Sequence, residues 1–197
     1  PANRYFGYTA FIEPNAILED KYGISKFSDL ENKCKEWYPE GTLAWAYNEE
    51  ENDWDTIYVS HATAYDNPRN PVNQFVGYHL LDRKVAYETL VCYNIEASGN
   101  GGEFDSEKDF PDGSDRTEYY VTMNNRILKV TMPRSDKNVE KGTILLNYAS
   151  DGEGQDIVVV APNDFKKQGH ESFNQEALNG SLNVIEDVLL YNEDVMS

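Results

Sequence analysis

Short runs of aromatic and β-branched residues, separated by turn residues, recur along most of this chain. The clearest pair is formed by residues 117–123 and 126–132, which alternate in polarity and meet at Asn124-Asn125. Because asparagine tolerates the positive φ of a tight turn, this pair predicts a β-hairpin. Residues 42–47 and 56–61 predict a second hairpin. The pattern therefore predicts a mainly β, or β-rich α+β, fold with several short sheets and a few helices.

Further strands are predicted on both sides of these hairpins. Residues 5–12 are aromatic and β-branched and predict an opening strand, and residues 16–19 predict a second, shorter one. Residues 144–148 and 157–161 have the apolar composition of buried strands. Residues 72–93 fit neither the helical nor the strand period, and we expect a strand there, followed by a helix or another strand.

Two segments have the spacing of a helix. Between residues 25 and 37, apolar side chains recur every three or four positions, which predicts a helix that ends before Pro39. A C-terminal helix is predicted with Ser181 or Asn183 as its cap. Its apolar face contains Leu182, Ile185, Val188 and Leu189. We therefore expect one domain, with a β-rich part at residues 1–162 and a C-terminal helical extension at 163–197 packed on it.

The chain is strongly acidic. Its 35 Asp and Glu residues outnumber the 17 Lys and Arg residues, which gives a formal net charge of −18. Such a field repels phosphate backbones and attracts cationic segments. We therefore expect a basic protein or peptide as the partner and no nucleic acid. The alternative is that the excess acid serves solubility or reflects a saline environment.

The spacing of cysteine and histidine predicts no metal site. Cys34 and Cys92 lie far apart, and His61, His79 and His170 are each isolated. No apolar stretch approaches the roughly 18 residues of a membrane helix, and the first residues lack a signal-peptide pattern. We therefore expect no membrane partner and an intracellular protein, nuclear or cytoplasmic, of cellular or viral origin.

Two stretches of this chain carry a family resemblance. The first is Gly7-Tyr8-Thr9-Ala10-Phe11, and the second runs from Val139-Glu140-Lys141-Gly142 to Asn147-Tyr148. In this order they resemble the opening and closing patterns of the SET domain, the β-rich fold of protein lysine methyltransferases that use S-adenosylmethionine. The resemblance implies a SET-like fold.

The same resemblance assigns candidate site residues. It implies that Tyr148 is the catalytic tyrosine and that Gly7 and Tyr8 bind the cofactor, S-adenosylmethionine. The family's Asn-His-Ser segment is absent as such. Its place is taken by Asp112-Gly113-Ser114 if distance from Tyr148 decides, or by Tyr93 and Asn94 if the side chain decides. A tyrosine suits methyl transfer, because its ring keeps a lysine channel dry and its hydroxyl orients the amine.

Three functions are consistent with these features. The first is a SET-type lysine methyltransferase acting on a basic protein segment. The second is a non-catalytic acidic interaction module that holds a cationic protein with predicted loops at residues 48–55 and 98–118. The third is a viral or phage protein that imitates the charge of DNA, or a structural subunit. The motif at residues 139–148 favours the first function.

Overall fold

A computed structural model describes residues 7–38, 42–48, 52–59, 64–91, 115–134, 139–140, 142–161, 176–177, 180–191 and 193. Within these ranges the α-helices are α1 (Asn15–Tyr22), α2 (Phe27–Trp37) and α3 (Pro71–Tyr78), and Tyr87–Thr89 is a short 3-10 helix. The strands are β1 (Tyr8–Ile12), β2 (Thr42–Asn48), β3 (Asp53–Val59), β4 (Leu80–Leu81), β5 (Arg116–Val121), β6 (Ile127–Met132), β7 (Ile144–Leu146), β8 (Ile157–Val159), β9 (Glu176–Ala177) and β10 (Gly180–Val184). No helix among the described residues is long and apolar enough to cross a membrane.

These strands form three sheets. The first sheet has the order β4-β1-β10-β9, the second has the order β5-β6-β7-β8, and β2 pairs with β3 alone. Strands β1 and β10 run parallel, whereas the neighbouring pairs in the second sheet are antiparallel. The predicted β-rich α+β class is confirmed. That the fold is SET-like stays a prediction, as does the boundary at residue 162.

Both predicted hairpins are confirmed. Strands β5 and β6 pair with Tyr120 opposite Leu128, and Asn125 in their turn has a φ of 60°. The Thr122 amide closes the turn by donating to the Arg126 carbonyl at 2.9 Å. Strands β2 and β3 pair along their whole length. In the first hairpin, alternation and a turn residue that accepts positive φ were sufficient. In the second, residues 48 and 53–55, which were expected in a loop, lie in β2 and β3.

The predicted C-terminal helix is wrong. Residues 180–184 form β10, which lies between β1 and β9 in the first sheet. Beyond the strand, the chain stays bonded to neighbouring segments, since the Ile185 amide donates to the Ile12 carbonyl at 2.9 Å. The Glu186 amide likewise donates to the Val158 carbonyl at 3.1 Å. The apolar side chains at helical spacing therefore pack in an extended segment, because pairing with β1 outweighs the local pattern.

Two other local predictions are also wrong. The strand predicted at residues 16–19 is part of α1, which ends at Gly23 in the left-handed conformation, with a φ of 67°. In residues 72–93 the helix α3 precedes the strand β4, which is the reverse of the expected order. The Asn70 side chain caps α3 by accepting from the Val72 and Asn73 amides, and Pro71 occupies its first turn. This Asn-Pro start signal was available in the sequence.

The predicted helix at residues 25–37 is confirmed as α2, but its apolar face is divided. Cys34 is fully buried in a small hydrophobic cluster with Tyr38, Phe75 and Val188, which joins α2 and α3 to the C-terminal segment. Phe27, at the start of the same face, is 55% exposed. A larger cluster holds the two four-stranded sheets together. It includes Phe11, Tyr78, Leu81, Leu128, Leu146 and Ile185.

Candidate functional site

Tyr148 lies two residues beyond the end of β7, with only 7% of its surface exposed. It follows Asn147, which is fully buried and has a φ of 50°. The left-handed backbone at Asn147 turns the chain out of the second sheet. The tyrosine ring is therefore held inside the fold.

Asn147 is the centre of a buried polar network. Its Nδ2 donates to Gln155 Oε1 and to the Leu190 carbonyl, both at 3.0 Å. The Tyr78 hydroxyl lies 3.3 Å from Asn147 Oδ1 and donates to the Ile127 carbonyl at 3.0 Å. Burial raises the pKa of Tyr78 well above its ordinary value. Because these polar atoms bond to one another, the network fixes the C-terminal segment to β7 and has the character of a structural clamp.

The structure places Gly7 and Tyr8 at the start of β1, in the first sheet, whereas Tyr148 follows a strand of the second. A Cβ at Gly7 would lie 2.5 Å from Lys84 Cβ, so glycine is required there by packing. Tyr8 is 48% exposed. Tyr93 and Asn94 lie outside the described residues, as do residues 98–114 of the predicted loop and Asp112-Gly113-Ser114. The cofactor assignments therefore stay predictions.

A buried pair of side chains, His79 and Glu13, connects three segments that lie beside the first sheet. His79 Nε2 lies 2.6 Å from Glu13 Oε1, and their side chains are 7% and 8% exposed. His79 Nδ1 lies 2.8 Å from the Phe75 carbonyl, which can only accept, so Nδ1 carries a proton. The Leu189 amide also donates to Glu13 Oε1, at 3.3 Å, so this pair connects β1, α3 and the C-terminal segment.

A third connection to the C-terminal segment lies nearer the surface. Asp187 accepts hydrogen bonds from the Lys21 ammonium and from the Tyr22 hydroxyl at the end of α1. Burial alone would raise the pKa of Asp187, but these hydrogen bonds and one from the Val188 amide outweigh it. They hold the pKa of Asp187 below its ordinary value.

The thiol of Cys34 is held in its neutral form. Burial, with a smaller contribution from the nearby Glu31 carboxylate, raises the pKa of Cys34 to about 12. Since the thiolate is the reactive species, this cysteine is inert at neutral pH. Among the described residues, no group of three or more His, Cys, Asp or Glu side chains could hold a metal ion.

An open groove lies between α2, α3 and the turn joining β5 to β6. This α2–α3 groove has a volume of about 390 Å³. Its apolar lining consists of Phe27, Tyr65, Val72, Val76, Leu80 and Met123. The exposed fractions are 55% for Phe27, 49% for Met123 and 45% for both Tyr65 and Val76. Sequence reasoning missed this groove, because the apolar residues that α2, α3 and β4 contribute to it have the pattern of core residues.

Carboxylates are spread over the surface around these features. Several exposed ones have no lysine or arginine at ion-pair distance in the part of the chain that the structure describes. They are Glu19, Asp20, Asp66, Asp82, Asp151 and Glu153. They lie on α1, on the loops flanking α3 and β4, and on the loop between β7 and β8. The acidic field is therefore broad, and it marks no single place on the molecule.

No protein-family model, curated protein or solved structure matches this chain. Its function must therefore be argued from its own surface, buried groups and charge.

Proposed function

We propose that this chain is an acidic protein-interaction domain that holds a basic segment of a partner protein. The observation that carries the proposal is the set of exposed carboxylates without described basic neighbours, on a chain with a net charge of −18. Charge that is not neutralised within the protein attracts cationic segments and increases their rate of association. The same field opposes binding to nucleic acid.

A pair of model peptides tests this proposal. Anisotropy measurements would compare a labelled lysine–glycine peptide with a glutamate–glycine peptide of the same length. We expect the lysine peptide alone to bind, with affinity falling at least tenfold between about 50 and about 500 mM salt, because the Debye length shortens over this range. Absence of binding at the lower salt concentration would contradict the proposal. Binding of both peptides would show an association that does not depend on charge.

A lysine methyltransferase is a second proposal, which shares the basic partner and adds a chemical step. It is supported by the position of Tyr148, whose ring is buried directly after Asn147 at the end of β7. A water-excluded tyrosine suits the transfer of a methyl group to a neutral lysine amine. S-adenosylmethionine would supply the methyl group, and its candidate contacts are Gly7, Tyr8, Tyr93 and Asn94.

Calorimetric titration with S-adenosylmethionine separates the two proposals. Micromolar binding that is altered in Tyr148→Phe supports the methyltransferase. The matched control is Tyr120→Phe, since Tyr120 is 6% exposed and its hydroxyl donates to the Leu90 carbonyl at 2.6 Å. No heat of binding at millimolar cofactor would reject the methyltransferase and leave the interaction domain. The DNA-mimic hypothesis also predicts a cationic partner, and it gains support if DNA competes for that partner.

A further inference from the structure

We propose that the α2–α3 groove is the place where the partner binds, and that it takes up apolar side chains from a cationic, amphipathic segment. This inference rests on the proposed function. It adds the place where the partner binds and the apolar contacts that contribute to its recognition. The acidic field supplies attraction at a distance, and the groove supplies the contact.

The groove gathers apolar surface that the fold leaves uncovered. Phe27, Tyr65, Val76 and Met123 are each at least 45% exposed, and they line one continuous depression. A scattered exposed hydrophobic side chain is ordinary on a protein surface, but a contiguous group rimmed by polar residues is typical of binding surfaces. Its volume of about 390 Å³ falls within the range of pockets that bind ligands.

The walls of the groove are held in place by the protein itself. The Tyr65 hydroxyl donates to Glu31 on α2, and the Tyr65 carbonyl accepts from Asn73 Nδ2 on α3 at 2.7 Å. The rings of Phe27 and Tyr65 pack edge to face with centroids 5.8 Å apart. Since these contacts are made within the chain, little ordering is needed on binding, which favours affinity.

The floor of the groove is also well fixed. Gly77 approaches the β5–β6 turn so closely that a Cβ there would lie 2.9 Å from Asn124 Cβ. Asn124 Nδ2 donates to the Gln74 carbonyl at 2.9 Å, and the Met123 amide donates to the Leu80 carbonyl at 2.9 Å. Helix α3 and the hairpin therefore form one surface, on which Met123 has a defined position.

Charge decides which occupant fits this groove. A second copy of the chain would bring another net charge of −18 to the same surface, so self-association is opposed. The walls are about half exposed, so the groove is open. An open groove suits the side chains of a polypeptide better than a small molecule, which needs an enclosed pocket. A segment with apolar residues on one face and lysine or arginine on the other satisfies both the groove and the field.

Two carboxylates lie close in sequence to residues of the groove lining. Asp66 follows Tyr65 and is exposed, and Asp29 lies in the first turn of α2, two residues after Phe27. Hydrogen bonds from the Ser25 amide and hydroxyl help to hold the pKa of Asp29 below its ordinary value, so this carboxylate is charged at neutral pH. Lys26 beside Phe27, Arg69 near Tyr65 and Arg126 near Met123 are basic residues at similar distances along the chain. The attraction of a cationic segment therefore rests on the net charge of the whole protein.

Two peptides and two matched variants test the location. The probes are a labelled amphipathic peptide of lysine and leucine, with leucines on one helical face, and the leucine-free lysine–glycine peptide. Val76→Ser removes apolar surface from the groove, and Val121→Ser removes it from a 63% exposed position on β5 outside the groove lining. We expect Val76→Ser to lower the affinity for the leucine-containing peptide about tenfold. Val121→Ser should change that affinity less than about twofold. Neither variant should change binding of the leucine-free peptide.

The wild-type protein offers a second readout that does not depend on how Val76→Ser folds. Met123 lines the groove, whereas Met132 is 5% exposed in the core. With ¹³C-labelled methionine methyl groups, the leucine peptide should shift the Met123 resonance and leave that of Met132 in place. Assignment would use Met123→Leu.

The outcomes separate the two proposals. If neither peptide binds at low salt, the proposed function fails. If both bind but Val76→Ser behaves like Val121→Ser and the Met123 resonance does not move, the groove is not the site and the charge-based function stands. A concentration-dependent dimer that Val76→Ser abolishes would identify a second copy as the occupant and overturn the inference.

Discussion

Replacing Asn183 by valine is expected to stabilise this protein. Asn183 lies in β10 with 1% of its surface exposed, opposite Phe11 in the parallel pairing with β1. Its side-chain Nδ2 and Oδ1 are both buried and have no hydrogen-bond partner among the residues that the structure describes. In the unfolded chain both atoms bond to water, so folding loses these bonds without replacing them.

The size of the effect follows from these two atoms. An unsatisfied buried donor or acceptor costs about 1–3 kcal/mol, so the two atoms together cost about 2–6 kcal/mol. Valine has no polar atom, has one heavy atom fewer than asparagine and suits a strand. The missing atom slightly weakens the packing around the side chain. We therefore expect the free energy of unfolding to rise by about 2 kcal/mol, or about 4–8 °C in Tm for a chain of this length.

The assay is urea unfolding, in which the midpoint should rise while the slope stays constant. The matched control is Asn147→Val, because Asn147 is equally buried but its carboxamide is fully bonded. That variant removes the hydrogen bonds that Asn147 Nδ2 donates to Gln155 and to the Leu190 carbonyl, and it puts a β-branched residue at a φ of 50°. We expect the free energy of unfolding of Asn147→Val to fall by about 3 kcal/mol or more.

A higher free energy of unfolding in Asn183→Val and a lower one in Asn147→Val would support the assignment of unpaired and paired carboxamides. If Asn183→Val is instead destabilising, the carboxamide has a partner in solution, such as a bound water molecule or a ligand, and the argument from unpaired atoms is refuted. Retention of stability in Asn147→Val would refute the structural role of the Asn147 network.

Three further predictions concern a carboxylate, a thiol and a turn. Asp187→Asn should lower stability at pH 7 by less than about 1 kcal/mol, because the Lys21 contact is partly exposed. Since the pKa of Asp187 is lowered by folding, its contribution is present above the unfolded pKa and is lost as pH falls, so urea midpoints of variant and parent should converge in acid. In a Cys92→Ser background, Cys34 should react with a thiol reagent at pH 8 only as fast as the protein unfolds; a faster reaction would contradict its burial. Asn125→Gly should change stability by less than about 0.5 kcal/mol, and Asn125→Val should cost more than about 1 kcal/mol, because only the latter strains a φ of 60°. Equal unfolding midpoints for the two Asn125 variants would contradict the turn geometry.

The parts of the fold that could be predicted from sequence are those specified by neighbouring residues. The β5–β6 hairpin follows from alternation on both sides of Asn124-Asn125. Helix α2 follows from apolar spacing. In both cases the residues that specify the element lie in one short continuous stretch of the chain, so their interactions are local.

The parts that were missed depend on partners far away in the chain. The apolar spacing of β10 predicts a helix, but the segment is an extended strand because β1, near the other end of the chain, offers it a full set of backbone partners. The buried pair of Glu13 and His79 has the same origin. Glu13 and His79 are 66 positions apart, and neither has a local signal that points to the other.

Alternation, turn residues and charge are properties of composition and local order, so a β-rich chain with a strong negative charge could be inferred from the sequence alone. Which apolar residues stay exposed depends instead on tertiary packing. Phe27 and Leu30 share one predicted helix face, yet Phe27 lines the open groove while Leu30 packs against the cluster around Cys34. The reason is geometric: burial depends on which distant segment arrives at each position, and no pattern within α2 specifies that.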